Sequence, residues 1–162
     1  MIKITDRRQQ RTREALRRAF ITLAGSRRYE DFGVADLIAE ANIGRSTFYE
    51  HYRSKDDLLH ALMDGMLCVL ADASGRNAPN EHVIGLLAHF WDNRRLGKAV
   101  FGPQLGPTLR RRLASLIEQR TDVDESRAAF IAAGQIGLLH AWLTGEVAAD
   151  TRAIAAIFMG DN

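Results

Sequence analysis

The chain has 162 residues, 46% hydrophobic and 26% charged, with a formal net charge of +2. That apolar content suffices for a packed core and excludes a globally disordered chain. Cys68 is the single cysteine, so an intramolecular disulfide and a disulfide-stapled scaffold are excluded.

The charge is unevenly spread. Residues 1–28 hold nine Lys/Arg against two Asp/Glu, which points to an anionic partner for the N-terminal part or to a solvated basic helix face. Three prolines and periodic Ala, Leu and Arg predict an all-α fold. No apolar run reaches the roughly 20 residues that span a bilayer. Met-Ile-Lys-Ile-Thr-Asp-Arg-Arg at the start lacks the apolar core of a signal peptide. The expected location is the cytoplasm, with no membrane partner.

The first helix is predicted over residues 5–25, capped by Thr5 or Asp6, with Ala15, Leu16, Ala19, Phe20 and Leu23 as its buried stripe. Tyr29 and Phe32 are expected to pin the following loop. A second helix follows Gly33 over residues 34–41, its inner face carrying Val34, Leu37, Ile38 and Ala41. Asn42-Ile43-Gly44 turns the chain, since Asn tolerates positive φ. A short third helix covers residues 45–52, with Phe48 and Tyr52 inward. This is helix-turn-helix spacing. Ser54 caps a fourth helix that runs to about residue 72, and Asp57 bonds back as in a capping box. Residues 73–80 read as a loop. Further helices are predicted over residues 81–91, 93–101, 107–120, 124–145 and 151–159. The organisation expected is a DNA-binding domain over residues 1–53 and a helical domain over residues 54–162.

The short third helix carries the chemistry. With Phe48 and Tyr52 inward, Arg45, Ser46, Tyr49 and Glu50 lie on the opposite surface. Arg45 and Ser46 stand at the N-terminal end, where recognition helices meet base edges. Thr47, Tyr49, His51 and Lys55 suit phosphate contacts, and Lys55 sits at the positive dipole end of the fourth helix. Gly33 opens the second helix, where its N–H is expected to hold a phosphate likewise.

These residues together resemble the TetR family of bacterial transcriptional regulators. The resemblance spans residues 11–66 and rests on Tyr29 to Val34, Asp36-Leu37-Ile38, Ala41-Asn42-Ile43-Gly44, Arg45-Ser46-Thr47-Phe48-Tyr49, Glu50-His51-Tyr52 and Lys55-Asp56-Asp57-Leu58-Leu59. It implies a three-helix DNA-binding head joined by a long fourth helix to a small helical dimerisation and effector domain. It also implies phosphate contacts at Thr47, Tyr49, His51 and Lys55. Two departures stand out. Gly33 occupies a position where many members have Thr, and Asn42-Ile43-Gly44 replaces Gly-Val-Ser, which removes the side-chain cap of the third helix. The chain is also shorter than typical members.

In the C-terminal half, Phe130, Gly134, Gly137 and Ala141 would let a partner backbone approach and form a twofold dimer, or would pack within one subunit. Met63, Met66, Leu87, Phe90, Trp91 and His140 form an apolar and aromatic set that would line an effector pocket or simply fill the core. The five histidines show no metal-ligand spacing, and neither a glycine-rich phosphate loop nor a nucleophile elbow occurs. No enzyme, metal or cofactor is expected. The function expected is a homodimeric repressor on a palindromic double-stranded DNA operator, released by a small apolar or aromatic effector. The alternatives are a ligandless DNA-binding or architectural protein, or a regulator controlled by a protein partner.

Overall fold

The computed structural model describes residues 4–75 and 78–160. Among them are α1 (Ile4–Ser26), a 3-10 turn (Tyr29–Asp31), α2 (Val34–Ala41), α3 (Arg45–His51), α4 (Lys55–Ser74), α5 (Asn80–Asp92), α6 (Arg94–Phe101), α7 (Gly106–Arg120), α8 (Glu125–Thr144) and α9 (Thr151–Met159). The described residues form no strand, so the all-α expectation holds. No helix among them is long and apolar enough to cross a membrane. α1 begins at Ile4, ahead of Thr5 and Asp6, whose side chains lie outside the described residues, as do residues 76 and 77 of the expected loop.

The chain divides into two compact units, Met1–Leu62 and Met63–Asn162. The division falls inside α4, whereas the sequence places it ahead of that helix. Leu58 and Leu59, in the part of α4 that stays with the first unit, are fully buried.

In the first unit, α1 buries Leu16, Ala19, Phe20 and Leu23. Their three- and four-residue spacing brings one stripe of the helix to the core. Phe20, Tyr29 and Phe32 meet as three rings with centroids 5.8–6.3 Å apart, mostly edge to face. This cluster pins the connection between α1 and α2, as expected. α2 packs on α1 and buries Leu37 completely. It ends at Asn42, the one non-glycine residue with positive φ (51°) among those described. There the Asn42 N–H donates to Ala39 O and the Ile43 N–H to Ile38 O, both at 3.2 Å. These bonds satisfy carbonyls that the helix end would otherwise leave open.

In the second unit, α7 lies along α8, α6 packs on α8 and α5 on α9. Two bidentate ion pairs, Arg112 to Asp64 and Arg120 to Asp72, tie α7 to α4. Both partners advance by eight residues, so the two helices run parallel there. Gly97 lets α6 sit close to α8, because an added Cβ would stand 2.8 Å from Leu143 Cδ1. Gln135 is only 4% exposed and donates from Nε2 to Leu70 O and Ser74 Oγ. The buried Trp142 indole donates to Ala149 O at 2.8 Å.

Candidate nucleic-acid interface

The Asn42 turn delivers the chain into a helix of seven residues. Gly44 stands at its N-cap with φ −73° and offers no side-chain cap. The orphan N–H groups of the first turn therefore stay available to an outside acceptor. Tertiary packing replaces the missing cap. Phe48 is fully buried, with Tyr49 edge-on at 5.3 Å and Tyr52 at 6.0 Å between centroids. Burying one Phe stabilises by about 1.5–3 kcal/mol, enough to hold a helix too short to persist alone.

With Phe48 inward, Arg45, Ser46, Tyr49 and Glu50 are exposed, which is the face expected from the sequence. Tyr49 is 46% exposed, and the Arg45 guanidinium lies 5.7 Å from its ring centroid. That cation–π contact limits the wandering of Arg45 without using its hydrogen-bond donors. Thr47 and His51 are half-buried at the flanks of the same face. α4 is capped as anticipated. The Asp57 N–H donates to Ser54 Oγ at 3.0 Å, and the Arg53 N–H donates to Asp57 Oδ2 at 2.9 Å.

Two of the residues expected to hold phosphates, Gly33 and Lys55, have partners inside the chain. The Gly33 N–H already donates to Asp36 Oδ2 at 2.9 Å, and Asp36 is also paired with Arg27 at 3.1 Å. Glycine has no side chain with which to cap α2, so the carboxylate at the third helical position folds back. An incoming phosphate would meet that negative charge. The Gly33 bond is the first cause that holds the Asp36 pKa below its ordinary value, followed among the lowering effects by Arg27.

Lys55 is the second such residue. Its ammonium donates to Tyr29 O at 2.5 Å and Phe32 O at 2.7 Å. It stands 3.9 Å from the Tyr29 ring centroid and 4.8 Å from that of Phe32. Next to it the Tyr29 hydroxyl donates to Asp56. Burial lowers the Lys55 pKa, while Asp56, Glu30 and Asp36 act to raise it. The side chain closes the turn between α1 and α2 instead of reaching outward. The three-residue spacing to Asp36 was visible in the sequence. The partners of Lys55, 23 and 26 residues away, were not.

The remaining candidate residues lie in the second unit. Phe90 pairs edge-on with Phe101 at 4.9 Å, whereas Trp91 stacks on Trp142 at 5.0 Å. Neighbours in sequence, they face different partners. Met63, Leu87 and Phe90 are buried, Met66 and His140 are half-buried, and Trp91 is 40% exposed. On α8, Phe130 is 71% exposed, and Gly134 and Gly137 face open space. Ala141 is half-buried and continues their face at four- and three-residue spacing.

Comparison with known proteins matches residues 18–62 to the family of bacterial regulatory proteins, tetR family. An uncharacterized HTH-type transcriptional regulator of Bacillus subtilis, YxbF, is 38% identical over 81 residues, 49% of this chain and 21% of that protein. The chain thus spans about a fifth of the length of that relative. A crystal structure of a TetR transcriptional regulator from Streptococcus agalactiae matches 97% of this chain and 96% of its own. The TM-score is 0.62 and the identity 28%.

Proposed function

We propose that this chain, a member of the TetR family of bacterial regulatory proteins, binds double-stranded DNA with α3 and controls transcription as a homodimer. One observation carries the reading. The N-terminal end of α3 presents Arg45 and Ser46 to solvent, while Phe48 anchors the opposite side. A seven-residue helix is about 10 Å long and fits within a major groove about 12 Å wide. Arg45 would read a guanine edge, and Ser46 would contact a neighbouring base. Thr47, Tyr49 and His51 would hold phosphates on either side.

The dimer reading draws on the exposed face of Phe130, Gly134 and Gly137. Two such faces related by a twofold axis would place two heads on successive major grooves of a palindromic operator. We read the output as repression in the cytoplasm, relieved by a small apolar or aromatic effector held in the second unit. Trp91 and the buried rings beside it support an aromatic ligand. The exposed Trp91 and Ile157 favour a second reading, in which a protein partner supplies the control.

The test is selection of duplexes from a random pool by the full chain, followed by binding titrations. Arg45→Ala should relax preference at one base pair, with a discrimination loss of about 1–3 kcal/mol. Recovery of no enriched sequence, or unchanged preference in the variant, refutes the assignment.

A further inference from the structure

The nine basic residues among the first 28 are not spent alike. Arg17 pairs with Glu14, Arg27 with Asp36 and Arg28 with Asp31. Arg7, Arg11, Arg13 and Arg18 are exposed, and none has an ion-pair partner among the described residues. All four line one open groove of about 650 Å³ on the first unit, whose other wall includes Tyr52. The single carboxylate lining that groove, Glu14, is already engaged by Arg17.

Arg7, Arg11 and Arg18 stand four and seven residues apart, so they share one face of α1. They span 11 residues, or about 16 Å of helix at 1.5 Å per residue. Successive phosphates of one DNA strand advance about 3.4 Å along the axis, so this row covers roughly five of them. Tyr52 closes the C-terminal end of α3, about 10 Å along the helix from Arg45. The groove therefore begins at the end of α3 opposite to the base-reading residues. Arg13 and Tyr52 line the groove together from α1 and from the end of α3.

We infer that this α1 groove is a second, sequence-independent contact for the DNA backbone, holding phosphates that flank the sequence read by α3. It rests on the DNA-binding reading above. α3 would set the register, and the α1 arginines would supply affinity and salt dependence without base preference.

The experiment uses the full chain and duplexes enriched from a random pool by the unmodified protein, titrated from 50 to 300 mM KCl. Arg7→Gln/Arg11→Gln/Arg18→Gln should lower the slope of log K against log salt by about 2–3 per head, since each neutralised phosphate contributes roughly 0.9. Affinity near 150 mM should fall by about 100-fold, while the preferred sequence and the melting temperature stay the same. Arg11→Gln alone should remove about one unit of slope. Arg8→Gln, an equal charge change outside the groove, should remove less than half of that. An unchanged slope in the triple variant overturns the inference, as does an equal effect of Arg8→Gln and Arg11→Gln. Failure of the unmodified protein to enrich any duplex instead overturns the DNA-binding reading itself.

Discussion

Replacing Lys55 by Met removes the ammonium and keeps most of the apolar stem. Two charge-assisted hydrogen bonds, to Tyr29 O and Phe32 O, disappear. Each such bond contributes about 1.5–3 kcal/mol. The ring contacts of the ammonium add about 0.5–1 kcal/mol. Lys55 is only half-buried, so water can reach the freed carbonyls and return part of this. A net loss of about 2–3 kcal/mol remains. For a unit of roughly 60 residues, 1 kcal/mol shifts Tm by about 4–8 °C, so the first calorimetric transition should drop by about 8–24 °C. Amide exchange should accelerate at Phe32 and Gly33, whose turn loses its staple. The decisive readout is the salt dependence of duplex binding, measured well below the new Tm. An internally engaged ammonium leaves the slope unchanged, whereas a phosphate clamp would lower it by about 0.9. A slope loss of one unit with an unshifted Tm would refute the internal role.

Other outcomes can be checked alongside. Asn42→Val forces a β-branched residue to φ 51° and should destabilise the head by about 1–2 kcal/mol, whereas Asn42→Gly should cost far less; equal urea midpoints for the two would remove the left-handed turn as the reason for Asn. The Asp36 pKa is held below its ordinary value of 3.8, first by the Gly33 N–H and then by Arg27. Its contribution is thus present above the unfolded pKa and is lost as pH falls through the folded one. The head should weaken on acidification below about pH 4, and Asp36→Asn should flatten that part of the stability profile. A profile identical to that of the unmodified protein would contradict this. Phe130→Arg should raise the dimer dissociation constant by at least about 30-fold, the equivalent of 2 kcal/mol, with unchanged helicity. Sedimentation velocity showing an intact dimer would move the interface elsewhere.

Legibility followed the range of the interactions. The periodic burial of Leu16, Ala19, Phe20 and Leu23, the Asn42 turn and the Ser54 cap involve residues within a few positions of each other. They were readable because helix period and capping chemistry are local. The exposed face of α3 was readable for the same reason, once Phe48 was placed inward.

The internal partners of Gly33 and Lys55 were hidden for different physical reasons. Gly33 reads as an open donor at the start of α2, but the Asp36 carboxylate three residues on takes the same N–H and is tethered beside it. Lys55 reads as an outward cation from its place at the positive end of the fourth helix. Its acceptors arrive only when α1, the 3-10 turn and α4 assemble.

By itself, then, the sequence determined the helices, the turn between α2 and α3, and which end of α3 offers donors. The tertiary structure alone decided which of those donors remain free. Hydrogen-bonding capacity is a property of a residue, but its availability depends on neighbours that distant parts of the chain bring in. The unspent arginines of α1 and the spent ammonium of Lys55 differ in that respect alone.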